Sequence, residues 1–319
     1  MQTKFTETFG VRFPIVQGGM GGVAGPDLVA AVANAGGLGI LPIWLVSPEN
    51  ARELIKRTQA LTNKPFAVNL RSDLEQVRLI ETAAEAGITL FNLFWGDPSS
   101  SMPAIEACGG RLIATVGDLG AAKQAIEAGA SALIAQGVEA GGHVLGEALR
   151  DQLVTELAAE NFDVTIIAAG GLATADHVAH VISLGADAAL LGTRFVVARE
   201  SIAHPVYKNA IIAAEAGSTV RTSCFDGMWP NAPHRVLKNS TYEVWDAAGC
   251  QSEGLRPGEG NSILIYPDGS SFPRYSAMTP RVGMQGEIEA SALYAGMGVG
   301  EIVEQQTAAE IIAELTSKL

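Results

Sequence analysis

The sequence predicts an α/β protein in which eight parallel strands and their helices close into a (β/α)8 barrel. Short apolar runs alternate with helical patterns along most of the chain, as in units whose parallel strands are buried on both faces. Several helical segments end in glycine directly before the next apolar run, as at Gly36, Gly87, Gly129 and Gly185. Glycine ends a helix in the left-handed conformation at no Cβ cost. A single βα unit therefore repeats along the chain.

Eight apolar runs follow this rhythm, and helical patterns such as Pro48 to Leu61 and Leu74 to Ala86 lie between them. The predicted strands are Ile15 to Gln17, Gly37 to Leu41, Phe66 to Leu70, Leu90 to Leu93, Leu112 to Val116, Ala132 to Gln136, Thr165 to Ala169 and Ala188 to Leu191. An open doubly wound sheet is the main alternative. Its dinucleotide-binding form would carry G-x-G-x-x-G after a strand, and the sequence has no such motif.

The chain is longer than a minimal barrel, which predicts an insertion. A barrel of this kind takes about 250 residues, whereas the chain has 319. Residues 217–286 are polar, rich in proline and glycine, and lack the helix–glycine–strand rhythm. We predict that residues 1–216 and 287–319 form the barrel, with a helix at Glu287 to Tyr294. Residues 217–286, which include a β-like segment at Ser262 to Tyr266, then form either a lid or subdomain at the active-site face, before the last helix, or a plain surface loop.

Charge and composition exclude several classes of partner. The formal net charge of −13 disfavours binding to nucleic acid or to an anionic membrane surface. The sequence has no run of 18 apolar residues, the length expected of a membrane-spanning helix. The first ten residues lack the apolar core of a signal peptide. Three cysteines form no C-x-x-C motif, which fits a reducing cytoplasm.

Glycines follow the last two predicted strands. Gly170 and Gly171 come after the seventh, and Gly192 and Thr193 come after the eighth. Barrel enzymes frequently bind phosphate with these two loops, because glycine lets backbone N–H groups approach an anion closely. Two ordinary tight turns are the alternative.

The loop after the sixth strand carries the strongest candidate for catalysis. Gln136, Glu139 and His143 follow this strand, and Gly141-Gly142 precede the histidine. Catalytic residues of barrels project from the C-terminal strand ends, and histidine exchanges protons near neutral pH. A structural or solvated histidine is the competing interpretation.

Other titratable residues have weaker signals. His177 and His180 have helical spacing but no evident third ligand, so we predict no metal site. His204 and His234 lie beside prolines in irregular segments and are expected to be structural. Asp97, after the fourth strand, is either a turn residue or a residue of the site.

A set of motifs resembles the nitronate monooxygenase family, formerly called 2-nitropropane dioxygenases. They are PIVQGGM, AVANAGGLGIL, FAVNL, ALIAQGVEAGGHVLG, IIAAGGLA, LLGTRF, FDGMWPNAPHRVLKN and ALYAGMGVG, and they span most of the chain. The resemblance implies an FMN-binding TIM barrel. It implies FMN contacts from Gly19, Met20, Asn69, Gln136, Gly141, Gly170, Gly171, Leu191, Gly192 and Thr193, with Ala295 to Gly298 closing over the same cofactor.

The resemblance also implies a reaction and a role for His143. An alkyl nitronate would be oxidised by O2 to a carbonyl compound and nitrite, and His143 would remove the α-proton of a neutral nitroalkane or position a preformed nitronate. GGHVLG is one residue longer than the family's usual GGHxG, and FWGDP departs from the usual form. Open alternatives are a flavin-dependent NAD(P)H reductase of the same superfamily, such as an enoyl-ACP or quinone reductase, and a non-catalytic flavin-binding barrel. Assembly of the chain into a homodimer is a further possibility that the sequence leaves open.

Overall fold

The computed structural model describes residues 2–319, in which eight parallel strands form a closed barrel. The barrel strands in spatial order are β1 Ile15–Gln17, β2 Leu38–Pro42, β3 Phe66–Arg71, β4 Leu90–Phe94, β5 Arg111–Val116, β6 Ala130–Gln136, β8 Thr165–Ala169 and β9 Ala188–Leu191. The eight predicted strands are confirmed, and their ends move by at most two residues. The predicted barrel is therefore correct.

Helices follow most of the barrel strands and cover the outside of the barrel. The helices are α1 Lys4–Phe9, α2 Pro26–Asn34, α3 Pro48–Leu61, α4 Val77–Glu85, α5 Met102–Ala107, α6 Leu119–Glu127, α7 Arg150–Ala159, α8 Ala175–Ser183, α9 Thr193–Val196, α10 Pro205–Ile212, α11 Ser240–Ala247 and α12 Ala308–Leu315. Short 3-10 turns cover Pro98–Ser100, Ile288–Ala290 and Met297–Glu301. The predicted helix at Pro48 to Leu61 is confirmed.

Two apolar layers hold the barrel and leave one end free for a site. The larger layer lies between the strands and the surrounding helices. The smaller one fills the barrel interior and includes Phe5 and Phe9 of α1, which are 0% and 4% exposed. The first helix therefore packs against the barrel interior. Polar side chains collect instead at the C-terminal strand ends.

Two small sheets lie outside the barrel. One joins β10 Thr219–Thr222, β11 His234–Leu237 and the short β7 Gly142–His143, and the other joins β12 Ser262–Ile265, β13 Ser271–Pro273 and β14 Gln285–Gly286. The predicted β-like segment at Ser262 to Tyr266 thus corresponds to β12. Strand β7 belongs to the loop after β6, so its antiparallel pairing with β11 ties residues of the 217–286 segment to that loop.

Two helix predictions need correction. The predicted helix at Glu287 to Tyr294 is a short 3-10 turn followed by extended chain, because backbone groups near Leu293 bond to β11 instead of to their own helix. Helix α12 is the last helix of the chain. The helix predicted from Leu74 begins at Val77, since the Gln76 side chain binds the Arg71 N–H and the Trp44 carbonyl.

Candidate active site

A cavity of about 440 Å³ lies at the C-terminal ends of the barrel strands. Its walls come from the loops after β1, β3, β6, β8 and β9, and from residues 228–229 and 277–279. Cavities of roughly 300–1,000 Å³ are typical of small-molecule sites. Of the predicted site residues, those lining it are Gly19, Met20, Asn69, Gln136, Gly141, His143, Gly170, Gly171, Gly192 and Thr193.

His143 lies in the wall of this cavity on β7. Its imidazole stacks on the indole of Trp229, with ring centroids 3.9 Å apart and planes inclined by 22°. The ring is half-buried, and its Nε2 atom is shielded and has no hydrogen-bond partner within residues 2–319. A neutral imidazole nitrogen that carries no hydrogen keeps a lone pair, so it can accept a hydrogen bond or a proton.

The surroundings of His143 favour its neutral form. Burial lowers the pKa of His143 well below its usual value, and the neighbouring His234 and Arg71 lower it further. Desolvation penalises the charged imidazolium, and nearby positive charge acts in the same direction. His143 is therefore unprotonated at neutral pH, which is the state that a general base requires.

His234 supports His143 from behind. The two ring centroids are 5.4 Å apart, and His234 is fully buried. Its Nε2 accepts a hydrogen bond from the Phe225 N–H at 3.2 Å, and its Nδ1 donates to the Ala232 carbonyl at 2.9 Å. Both ring nitrogens are thus used within the chain, in keeping with the structural role expected for this residue.

Gln136 holds the backbone of the histidine loop. Its Nε2 donates to the His143 carbonyl at 3.0 Å, and its Oε1 accepts from the Leu145 N–H at 3.0 Å. The side chain lines the cavity, but each end of its amide is bonded to the loop. Gln136 therefore fixes the position of His143 in addition to any contact with a ligand.

Polar side chains of β3, β4 and β5 form a connected row at the bottom of the cavity. Asn69 Nδ2 donates to Asn92 Oδ1 at 2.9 Å, and Asn92 Nδ2 donates to the Ile113 carbonyl at 3.0 Å and approaches Thr115 Oγ1 at 3.3 Å. Asn69 was predicted from the sequence, whereas Asn92 and Thr115 were not. The signal was an asparagine within the apolar strand LFNLF, which parallels the one in FAVNL.

The loops after β8 and β9 present free backbone donors at another part of the cavity. The N–H groups of Gly171, Gly192 and Thr193 make no hydrogen bond within residues 2–319. A Cβ added to Gly192 would meet only Met20 Sδ, at 3.6 Å. The space in front of Gly192 is therefore open, and N–H groups beside open space suit an anion.

Two other glycines are needed for close packing of the cavity walls. A Cβ at Gly19 would lie 2.6 Å from Asn69 Cβ, and one at Gly141 would lie 2.5 Å from the Gly296 nitrogen. Gly296 N also donates to Thr193 Oγ1 at 3.0 Å. The Ala295 to Gly298 segment thus packs on the loops after β6 and β9.

Leu191 stands apart from the other predicted cofactor contacts. Its side chain is 1% exposed and packs in the layer between the barrel and the helices. Its carbonyl accepts a hydrogen bond from the Gly18 N–H at 3.1 Å. Leu191 therefore supports the loop after β1, and its side chain does not line the cavity.

The remaining titratable candidates have structural partners. Asp97 Oδ1 accepts from the Ser99 N–H at 2.9 Å and caps a 3-10 turn, outside the main cavity. His177 accepts from the Ala173 N–H, His180 pairs with Asp151, and His204 caps α10. No metal-binding group of three or more His, Cys, Asp or Glu side chains occurs within residues 2–319.

Within residues 2–319, none of the helices combines the length and apolar character needed to cross a membrane.

An aromatic and cationic cluster near His143 was not predicted. Trp229 contacts Trp44 and Trp95 with ring centroids 5.5 and 5.2 Å apart. The Arg71 guanidinium carbon lies 3.3 Å from the centroid of a Trp229 ring, and Arg71 Nε donates to Asp73 at 2.9 Å. Contacts between distant segments leave no short-range pattern in the sequence, so no single motif indicates this cluster.

Comparisons with known proteins agree with the barrel and with the motifs. A family model described as nitronate monooxygenase matches residues 2–89 and 77–318. A relative from Rhodococcus jostii, named (3aS,4S,5R,7aS)-5-hydroxy-7a-methyl-1-oxo-octahydro-1H-indene-4-carboxyl-CoA dehydrogenase, is 34% identical over 78% of this chain and 69% of its own length. A nitronate monooxygenase from Pseudomonas aeruginosa is 30% identical over 100% of this chain and 99% of its own. The solved structure of FabK from Thermotoga maritima has a TM-score of 0.83 and 29% identity, covering 99% of this chain and 96% of that chain.

Proposed function

This chain belongs to the nitronate monooxygenase family, and we propose that it oxidises alkyl nitronates with O2 to carbonyl compounds and nitrite. The observation that carries the proposal is the unpartnered Nε2 of His143, a residue that lines a barrel-end cavity together with glycines whose N–H groups are free. A relative that spans the full chain bears the same family name.

The residues of the cavity fit FMN. The N–H groups of Gly171, Gly192 and Thr193 would hold the phosphate, since free backbone donors beside open space suit an anion. Amide side chains such as Asn69 can donate and accept hydrogen bonds toward the polar edge of a flavin ring. Bound FMN would supply the electron transfer between the substrate and O2.

The chain itself would orient the substrate and move a proton. In its neutral form with the proton on Nδ1, His143 presents the Nε2 lone pair to the α-carbon of a nitroalkane. Gln136 fixes the backbone of His143. Trp44 and Trp229 supply an apolar wall that separates the reacting atoms from water.

The 217–286 segment forms part of this wall, and we assign it the role of a lid or subdomain over the site. Trp229 contacts His143, and the hydroxyl of Thr279 donates to the Gly21 carbonyl at 2.9 Å. These contacts bring the segment against the loops after β1 and β6. A plain surface loop would not need them.

A second candidate is a flavin-dependent dehydrogenase or reductase. The specific observation in its favour is the 34% identical relative, which is named as the dehydrogenase of an acyl-CoA. Such an enzyme would exchange electrons with a thioester or a pyridine nucleotide, and would release no nitrite from a nitronate.

One anaerobic experiment separates the two. The flavin-loaded protein is mixed with propane-2-nitronate and, separately, with NADH or NADPH, and the flavin absorbance is followed. We expect bleaching by the nitronate, and O2 consumption with nitrite release when air is admitted. Rapid bleaching by NADH or NADPH, with no nitrite formed from the nitronate, would establish the reductase instead.

A further inference from the structure

The indole N–H of Trp229 is a buried donor without an acceptor. Trp229 is 7% exposed and lines the cavity, and its Nε1 atom has no hydrogen-bond partner within residues 2–319. Buried tryptophan N–H groups usually find a partner, because an unpaired buried donor loses its hydrogen bonds to water without replacement. An unpaired donor in a cavity wall therefore indicates a missing acceptor.

A second unpaired atom lies next to the first. Of the buried side-chain atoms without a partner in the described chain, two belong to residues that line the cavity, namely His143 Nε2 and Trp229 Nε1. They are on rings that stack with centroids 3.9 Å apart. The two unpaired atoms therefore belong to adjacent side chains of the same cavity wall.

The surroundings fix the indole in place. Three aromatic rings contact it, from Trp44, Phe94 and Trp95, with centroids 5.2 to 6.2 Å away. Met228, directly before Trp229, has a positive φ of 77°. Such backbone is strained for a residue with a side chain and persists only where the surroundings hold it, as at functional sites. The N–H group is therefore preorganised.

We propose that the Trp229 indole N–H donates a hydrogen bond to a nitro oxygen of the substrate while His143 Nε2 faces its α-carbon. The proposal rests on the proposed function, and it gives a role to Trp229, a residue of the FDGMWPNAPHRVLKN motif for which the family resemblance implied none. The indole N–H is only a donor, so its partner must be an acceptor such as an oxygen of a nitro, nitronate or carboxylate group.

The donor has a defined role in proton removal. When His143 Nε2 takes the α-proton, the C–H electron pair becomes the C=N bond and an N–O π pair moves onto a nitro oxygen. That oxygen gains negative charge, so the hydrogen bond from Trp229 is stronger in the transition state than in the ground state. The Arg71 guanidinium over the Trp229 ring adds positive potential at the same place.

The test replaces Trp229 with phenylalanine, which keeps an aromatic ring against His143 and removes the N–H. Loss of one preorganised donor typically lowers kcat by about 10²–10³-fold, and we expect a loss of this size on neutral nitroethane. With preformed propane-2-nitronate, the loss of a hydrogen bond to a charged group should raise KM roughly 10-fold or more. Trp245→Phe is the matched control, because the Trp245 N–H donates to the Gln251 carbonyl outside the cavity.

Several outcomes would overturn the proposal. If Trp229→Phe keeps the wild-type kcat and KM while Trp229→Leu is impaired, the indole contributes only aromatic packing. If Trp229→Phe loses FMN and keeps its nitronate KM once reloaded, the N–H serves the cofactor. Absence of nitrite from the wild type with any nitronate is a different result, since it removes the proposed function and is seen before any variant is made.

A binding measurement on the wild type keeps the proposal testable if the variant does not fold. Isobutyrate has the shape and charge of propane-2-nitronate and is not oxidised. Of the four indole N–H signals in the nitrogen-15 spectrum of the holoenzyme, that of Trp229 should move downfield as isobutyrate is added. Trp44→Phe, Trp95→Phe and Trp245→Phe identify it by elimination. A Trp229 signal that stays fixed while isobutyrate inhibits competitively contradicts the proposal.

Discussion

The imidazole of His143 lies flat against the indole of Trp229, with ring centroids 3.9 Å apart. His143 belongs to the loop after β6, whereas Trp229 comes from the segment before β11. The chain must therefore bring together residues about ninety positions apart to complete this part of the cavity. Burial of His143 lowers its pKa, and the neighbouring His234 and Arg71 lower it further.

Gln136 provides the first prediction. Gln136→Leu should lower kcat by up to about 10²-fold, because the His143 carbonyl and the Leu145 N–H lose their partners and a displacement near 1 Å can cost this much. The measurement is kcat and KM together with the FMN dissociation constant. Gln152→Leu on the exposed face of α7 is the control. A large rise in the FMN dissociation constant with unchanged kcat in the reloaded enzyme would show that Gln136 serves the cofactor alone.

The glycines after β8 and β9 provide the second prediction. Gly192 has a φ of −103°, and an added Cβ would meet only Met20 Sδ at 3.6 Å. Gly192→Ala should therefore fold normally and place a methyl group in the space proposed for phosphate. We expect the FMN dissociation constant to rise about 10-fold or more, measured by titrating apo-protein with FMN and following flavin fluorescence.

Gly25→Ala serves as the control for that measurement. Gly25 precedes α2, and its added Cβ would be in ordinary contact with Ile202 at 3.4 Å, outside the cavity. The Gly25→Ala variant should bind FMN with the same dissociation constant as the wild type. An unaltered dissociation constant in Gly192→Ala as well would place the phosphate elsewhere.

The barrel was predictable because its signals are local. Each barrel strand is a short apolar run, and several helices end in glycine directly before the next run, so the eight barrel strands could be located from neighbouring residues. The helix predicted at Glu287 to Tyr294 failed because long-range backbone bonds to β11 replaced its own. The partners of His143 were not predictable for a related reason: stacking on Trp229 and burial near Arg71 depend on how distant loops meet.

The lowered pKa of His143 provides the third prediction. A base works when unprotonated, and an ordinary histidine would lose its proton near pH 6.5. Because burial and the neighbouring His234 and Arg71 lower the pKa of His143, the rate on freshly dissolved neutral nitroethane should be level from about pH 6.5 upward. It should decline only at lower pH. The check is kcat/KM against pH from initial rates; a rise centred at or above pH 6.5 would contradict the burial argument.

The last prediction concerns the chemical role of His143. His143→Asn keeps a polar side chain of limited size and removes the base, so the variant should lose far more activity on neutral nitroethane than on preformed ethyl nitronate. General base catalysis contributes about 10²–10⁴-fold, and only the neutral substrate needs a proton removed. Nitrite release is measured on both substrates at equal FMN occupancy, with His180→Asn on the outer helix α8 as control. Equal losses on the two substrates would mean that His143 positions the nitro group. Unchanged rates on both would make the unpartnered Nε2 a structural feature, and proton removal would then have to be sought elsewhere in the cavity.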